Sequence, residues 1–268
     1  MKYKVKKHRR LSKAIGLSLS SFLMLAFFGL SNVSGQGVDN YAVTRTTGNT
    51  YNSIIGTGNS FAAWRNTGSF IEDDNRSEAT DIGFDFWYNG TRYTQFSVST
   101  NGFLDFSSST DNGGPQCDDY GYCNSEFSVS DNGTYLALAP FYDDMTTAGG
   151  VDPLGTSIKY ELSGTAPNRV LTVEWDGMAV YQNTTPDLNF QVKLFETSGV
   201  IEYLYETMDP GNFSFSYTVG INAASINNNP RPEQLHTQQT ENTTDFSDAP
   251  ENNLSVMPEA NSKLTFTP

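Results

Sequence analysis

The sequence predicts an all-β protein, a two-layer antiparallel β-sandwich of jelly-roll type with long surface loops. Three observations carry this reading. Apolar and polar residues alternate in run after run beyond residue 36, the period of a strand with one buried face. No stretch there keeps a helical period over three turns. Turn-forming dipeptides stand between the runs.

The runs follow in order. In DIGFDFWY, Ile82, Phe84, Phe86 and Tyr88 share one face. Asn89-Gly90 then signals a type I′ hairpin turn, because both central residues must take positive φ. Phe96 and Val98 share a face in QFSVS, Asn101-Gly102 bends the chain, and Leu104 and Phe106 resume inward. LALAPFYDDM, residues 136–145, is an apolar run ending on two carboxylates, and Pro140 marks an edge position or a bulge. Leu171, Val173 and Trp175 alternate with Thr172 and Glu174, after a break at Ser163-Gly164. Phe190, Val192 and Leu194 follow, then Ser198-Gly199, then Ile201, Tyr203 and Tyr205. Val219 and Ile221 form a short run, and KLTFTP, with Leu264 and Phe266, returns at the end to pair at a sheet edge. Ten to twelve strands at this spacing fill one domain over 36–268, with long loops near 107–132 and 222–262.

The first 35 residues read differently. Seven Lys and Arg precede an apolar run from Ala14 to Leu30, and Val33-Ser34-Gly35 offers small residues before Gln36. That order is a secretory signal peptide, cleaved after Gly35; an uncleaved anchor is the alternative. The segment holds 7 of the 16 basic residues and no acidic one, so nine basic residues face all 30 acidic ones beyond it, a net charge of −21. Such a surface repels nucleic acid and anionic lipid and attracts divalent cations. The expected setting is secreted or cell-surface, with no membrane insertion after cleavage.

Two cysteines, Cys117 and Cys123 in CDDYGYC, suit a disulfide closing a small loop in an exported protein; two free thiols are the alternative. Beyond residue 35 there is one histidine, His236, so multi-histidine zinc sites are excluded, and no HExxH occurs.

Several strings together resemble a known family. Residues 82–106 read IGFDFWYNGTRYTQFSVSTNGFLDF, followed by APFYDD at 139–144, NRVLTVEW at 168–175 and FQVKLFETSGVIEYLY at 190–205. In this order they resemble an extracellular β-sandwich module of secreted Bacteroidetes proteins, and more distantly the nidogen-type NIDO domain. Tyr142 stands where the module usually has Trp, and the chain closes at Pro268 without the sorting domain that often accompanies it. The resemblance implies a binding or adhesion module and no catalytic set.

Other residues carry chemistry of their own. Asp143 and Asp144 accept backbone hydrogen bonds and end the strand, or join an oxygen-rich calcium site with Asp73 and Asp74. Calcium needs six to eight oxygens, and Glu72, Asn75, Asp118 and Asp119 are further donors. Arg76 among them argues against a cation. Glu174 and Asp176 flank Trp175; residues two apart on a strand stand about 7 Å apart, a separation that glycoside hydrolysis allows. Tyr120 and Tyr122, in the cysteine loop, suit an adaptable contact surface. The reading that follows is a non-catalytic module binding an extracellular glycan or protein, with calcium as its candidate cofactor. A carbohydrate-active hydrolase using Glu174 or Asp143/Asp144 and a structural subunit assembling through edge strands are the alternatives.

Overall fold

The computed structural model describes residues 37–65, 73–106, 136–147, 157–181, 187–211, 214–223, 235–249, 251 and 253–268. A short 3-10 turn at Val38–Asn40 leads into fourteen strands. They are β1 (Ala42–Thr46), β2 (Thr80–Tyr88), β3 (Thr91–Ser99), β4 (Phe103–Asp105), β5 (Ala137–Tyr142), β6 (Met145–Thr147) and β7 (Ile158–Ser163). Next come β8 (Val170–Val180), β9 (Asp187–Phe195), β10 (Ile201–Asp209), β11 (Thr218–Asn222), β12 (Leu235–Gln238), β13 (Phe246–Ser247) and β14 (Lys263–Thr267).

All pairings between these strands are antiparallel, and they build two sheets of seven. The first runs β1-β14-β10-β9-β8-β6, with β7 also on β8; the second runs β13-β12-β11-β5-β4-β3-β2. The two pack as a sandwich. The alternation seen in the sequence sets the inner faces. β2 buries Ile82, Phe84, Phe86 and Tyr88 and exposes Asp81, Asp85 and Trp87. Phe190, Val192 and Leu194 on β9 and Ile201, Tyr203 and Tyr205 on β10 face them from the other sheet within one core. Asn89-Gly90 forms the expected hairpin turn, with φ of 49° and 73° and Tyr88 paired to Thr91.

Three aromatic side chains of the first sheet donate to backbone carbonyls of the second. Tyr203 Oη reaches Gly220 O at 2.8 Å, Tyr205 Oη reaches Pro140 O at 2.8 Å, and Trp175 Nε1 reaches Ser99 O at 2.9 Å. Pro140 lies where the β5–β11 ladder shifts register between Thr218 and Gly220, a bulge that accounts for a proline inside a central strand. The tyrosines therefore bury their rings and satisfy carbonyls at the interface.

Two expectations need correction. The segment 222–262 is not one long surface loop, because it contributes β12 and β13, which extend the second sheet beyond β11. Its strands are short and polar (LHTQ, FS), so they carry little alternation to recognise. KLTFTP is not at an edge: β14 lies between β10 and β1, and all five of its residues pair with β1. The edge-assembly alternative loses its strand. Of the two readings of Pro140, the bulge holds: β5 sits between β11 and β4, and its ladder to β11 shifts register there. The signal segment and the loop 107–132, with Cys117, Cys123, Tyr120 and Tyr122, lie outside the described residues.

One ion pair is sealed inside. Arg76 Nη2 stands 3.1 Å from Asp105 Oδ2, both side chains 0 % exposed, and Arg76 Nε donates to Ser97 Oγ. Removing one partner of such a pair strands the other charge without water. Arg76→Ala is expected to cost about 3–5 kcal/mol in urea unfolding. The exposed pair Arg92–Asp85, at 2.9 Å, screens its charges in water, so Arg92→Ala should cost less than about 1 kcal/mol. Equal losses in the two variants would contradict this.

Candidate functional site

One corner of the sandwich gathers acidic side chains from two distant segments. β5 ends in the second sheet at Tyr142, and β6 begins in the first sheet at Met145, so the chain crosses between sheets through Asp143-Asp144. The stretch 73–77 lies alongside. Asp73 bridges to Thr146 of β6 and Arg76 to Ser99 of β3. Asn75 N–H donates to Thr100 Oγ1 at 2.9 Å, and Thr100 N–H returns to Asn75 O at 2.9 Å.

Asn101, in the β3–β4 turn, ties these segments together. Its Nδ2 donates to Asp74 Oδ1 at 3.0 Å, and its Oδ1 accepts Met145 N–H at 2.9 Å. The side chain is fully buried. Gly102 follows with φ of +78°, and a Cβ there would stand 1.8 Å from Phe141 O. No other residue fits without moving β5, so the turn, the strand end and the crossing share one packed geometry.

Asp73, Asp74 and Asp144 converge: one carboxylate oxygen from each lies within 4.8 Å of the others. Calcium holds oxygens at about 2.4 Å, so ligands on opposite sides of the ion stand about 4.8 Å apart. The three oxygens thus fit around one such cation, and three to five more donors are needed to complete it. Asp143 is outside this trio. Its Oδ1 accepts Asp144 N–H at 2.8 Å, the strand-ending bond expected of it, and its Oδ2 is buried without a hydrogen-bond partner. Arg76 pairs with Asp105 in the core.

The corner is electrostatically costly as it stands. Burial pushes Asp143 up to about 8, the Asp144 N–H pulls it the other way, and the Asp144 charge adds to the rise. Burial, then the charge of Asp74, pushes Asp144 up to about 6. Asp74 is raised by burial and partly relieved by Asn101.

The other candidates resolve differently. Glu174 is fully buried and holds a covering segment: Tyr51 Oη donates to it at 3.1 Å and Ile54 N–H at 2.5 Å. Trp175 is in the core, stacked on Phe190 at 5.3 Å. The Glu174–Asp176 pair therefore does not flank an open sugar site, and of the carboxylates named for the hydrolase alternative only Asp143 and Asp144 keep a place at the corner. His236 is buried on β12, and burial lowers its pKa. Asp118, Asp119 and Glu72 lie outside the described residues. Sequence reasoning took Asn101-Gly102 for a bend alone and missed its tying role. The signal was present in an Asn-Gly pair before a run that buries every residue, but only contacts across the fold show what the amide bonds.

The fold is that of a two-sheet antiparallel β-sandwich module. The chain belongs to the NIDO-related family, whose model matches residues 40–268. No curated protein and no solved structure matches it. Among the described residues no helix is long and apolar enough to cross a membrane.

The carboxylates make stability depend on pH in a defined direction. Their folded pKa values lie above the usual aspartate value of 3.8, so between those limits the folded state holds protons that the unfolded chain has released. Their contribution is present at low pH and is lost as the pH rises through about 6 for Asp144 and about 8 for Asp143. In chelator, Asp143→Asn keeps the Oδ1 acceptor and removes the charge. Its urea midpoint should gain on wild type progressively as the pH rises from about 4 to about 8, the limits set by the unfolded and folded values of Asp143. A constant offset across the range would refute the assignment.

Proposed function

We propose that this chain is a non-catalytic extracellular module that binds a glycan or protein ligand, with calcium rigidifying the corner formed by Asp73, Asp74 and Asp144. The observation that carries the reading is the convergence of three carboxylate oxygens within 4.8 Å at the crossing between sheets, in a family of extracellular modules. Asp143 supports it, because a carboxylate 4 % exposed with an unpartnered oxygen beside the trio is stabilised by a nearby positive charge. A cation there links the stretch 73–77 to the β5–β6 turn and so stiffens one end of the sandwich.

For ligand contact the described surface offers Trp87, 58 % exposed beside the hairpin turn, the one aromatic among its exposed large hydrophobic side chains. Indole presents a large rigid face to a sugar ring or an apolar side chain. Tyr120 and Tyr122 complete the candidate contacts.

The test is a glycan and matrix-protein array probed with the purified protein in calcium and in EDTA. Binding that weakens in EDTA, and that falls about tenfold or more in Trp87→Ala with an unchanged melting temperature, is the expected result. Binding unaffected by both changes contradicts the reading of the corner and of Trp87, and an array without any ligand contradicts the binding function. Calcium at a hundredfold excess over its dissociation constant should raise stability by about 2.7 kcal/mol.

A further inference from the structure

The described residues contain two Asn-Gly dipeptides, Asn89-Gly90 and Asn101-Gly102, and the fold treats them oppositely. Asn-Gly is chemically labile, because the glycine amide nitrogen can attack the asparagine side-chain carbonyl with no Cβ in the way. Whether it does so depends on three conditions: a free glycine N–H, an uncommitted side-chain amide, and access for water.

Asn101-Gly102 fails all three. Gly102 N–H donates to Ser99 O at 3.3 Å. The Asn101 side chain is bonded at both ends, Nδ2 to Asp74 and Oδ1 from Met145 N–H. The residue is fully buried, and the turn is jammed against Phe141 O. Reaction here requires the corner to open first.

Asn89-Gly90 meets all three. The two residues are the central pair of the β2–β3 hairpin, with Tyr88 paired to Thr91 outside them. A turn of this kind leaves the third residue's N–H out of the ladder, and Gly90 N–H has no backbone acceptor among the described residues. Gly90 is exposed and Asn89 half-buried. The Asn89 side-chain amide has no hydrogen-bond partner among the described residues. The backbone N–H of Asn89 faces the Tyr41 hydroxyl, so a change in this turn reaches the rim of the core.

We propose that Asn89 is a site of spontaneous modification, deamidating through a succinimide while Asn101 is protected by the fold. Gly90 N bonds to Asn89 Cγ, the Cγ–Nδ2 bond breaks, and the nitrogen leaves as ammonia, taking up the Gly90 proton. Water then adds to one of the two ring carbonyls, and its C–N bond breaks to give aspartate or isoaspartate. No oxidant, metal or enzyme is needed. Either product adds a negative charge to a hairpin that already carries the Arg92–Asp85 pair. Isoaspartate also inserts one backbone atom into a two-residue turn, which no longer matches the Tyr88–Thr91 register. The hairpin beside Trp87 therefore ages, independently of any cation at the far corner.

The test incubates the full chain at mildly alkaline pH, natively and in urea, and maps by peptide mass spectrometry the gain from exchanging NH2 for OH. Fragmentation that separates aspartate from isoaspartate identifies the product. In the native protein Asn89 should convert about tenfold or more faster than Asn101, and in urea the two rates should come together, because only the fold distinguishes them. Equal native rates would overturn the proposal. So would an Asn89 that stays intact natively while reacting in urea.

Discussion

The chain has two residues in which to leave one sheet and enter the other. Tyr142 ends β5 and Met145 begins β6, so Asp143 and Asp144 must occupy the passage between layers. A passage this short cannot swing out into water. It holds Asp143 nearly buried, presses Phe141 O against Gly102, and leaves Met145 N–H to be met by Asn101. The raised pKa values of both aspartates, the trio with Asp73 and Asp74, and the need for glycine at 102 all follow from that geometry.

The corner is held because the sheets are registered from within. Tyr203, Tyr205 and Trp175 each spend a polar tip on a carbonyl of the opposite sheet, and hydrogen bonds are directional where apolar packing is not. Trp175 bonds Ser99 at the end of β3, two residues before Asn101, so this tie anchors the turn that organises the corner. Arg76, sealed against Asp105 and Ser97, secures the stretch 73–77 from the opposite side. A charge pair with no solvent access is a costly element in a core, and here it fixes the backbone that presents Asp73 and Asp74.

Much of the sandwich was legible because strands with one wet face write their burial into a period of two. β2, β9 and β10 were readable residue by residue. β12 and β13 were not, because short polar strands lack that period. Nor was the central place of β14, since an edge is closed by a distant strand, here β1, that alternation cannot identify. At the corner Asp73, Asp74 and Asp144 could be grouped as oxygen donors, and the strand-ending bond of Asp143 was one of its two readings. The Asn101 amide that ties the segments together was not legible. Glu174 looked like a carboxylate beside an aromatic, and the covering segment with Tyr51 and Ile54 turned it into an anchor. Such roles depend on contacts over more than a hundred residues of separation, where local patterns carry no information.

Three acids gathered at a partly buried corner, with Asp144 raised in part by the charge of Asp74, repel one another in a way that a divalent cation would convert into cohesion. Direct calorimetric titration of the metal-free protein with calcium measures this most plainly, alongside a variant with Asp73, Asp74 and Asp144 all changed to Asn. The account predicts a single saturable site in wild type, with protons released on binding because the carboxylates must ionise, and no site in the variant. No heat of binding in wild type at millimolar calcium, or the same isotherm in both proteins, would contradict it.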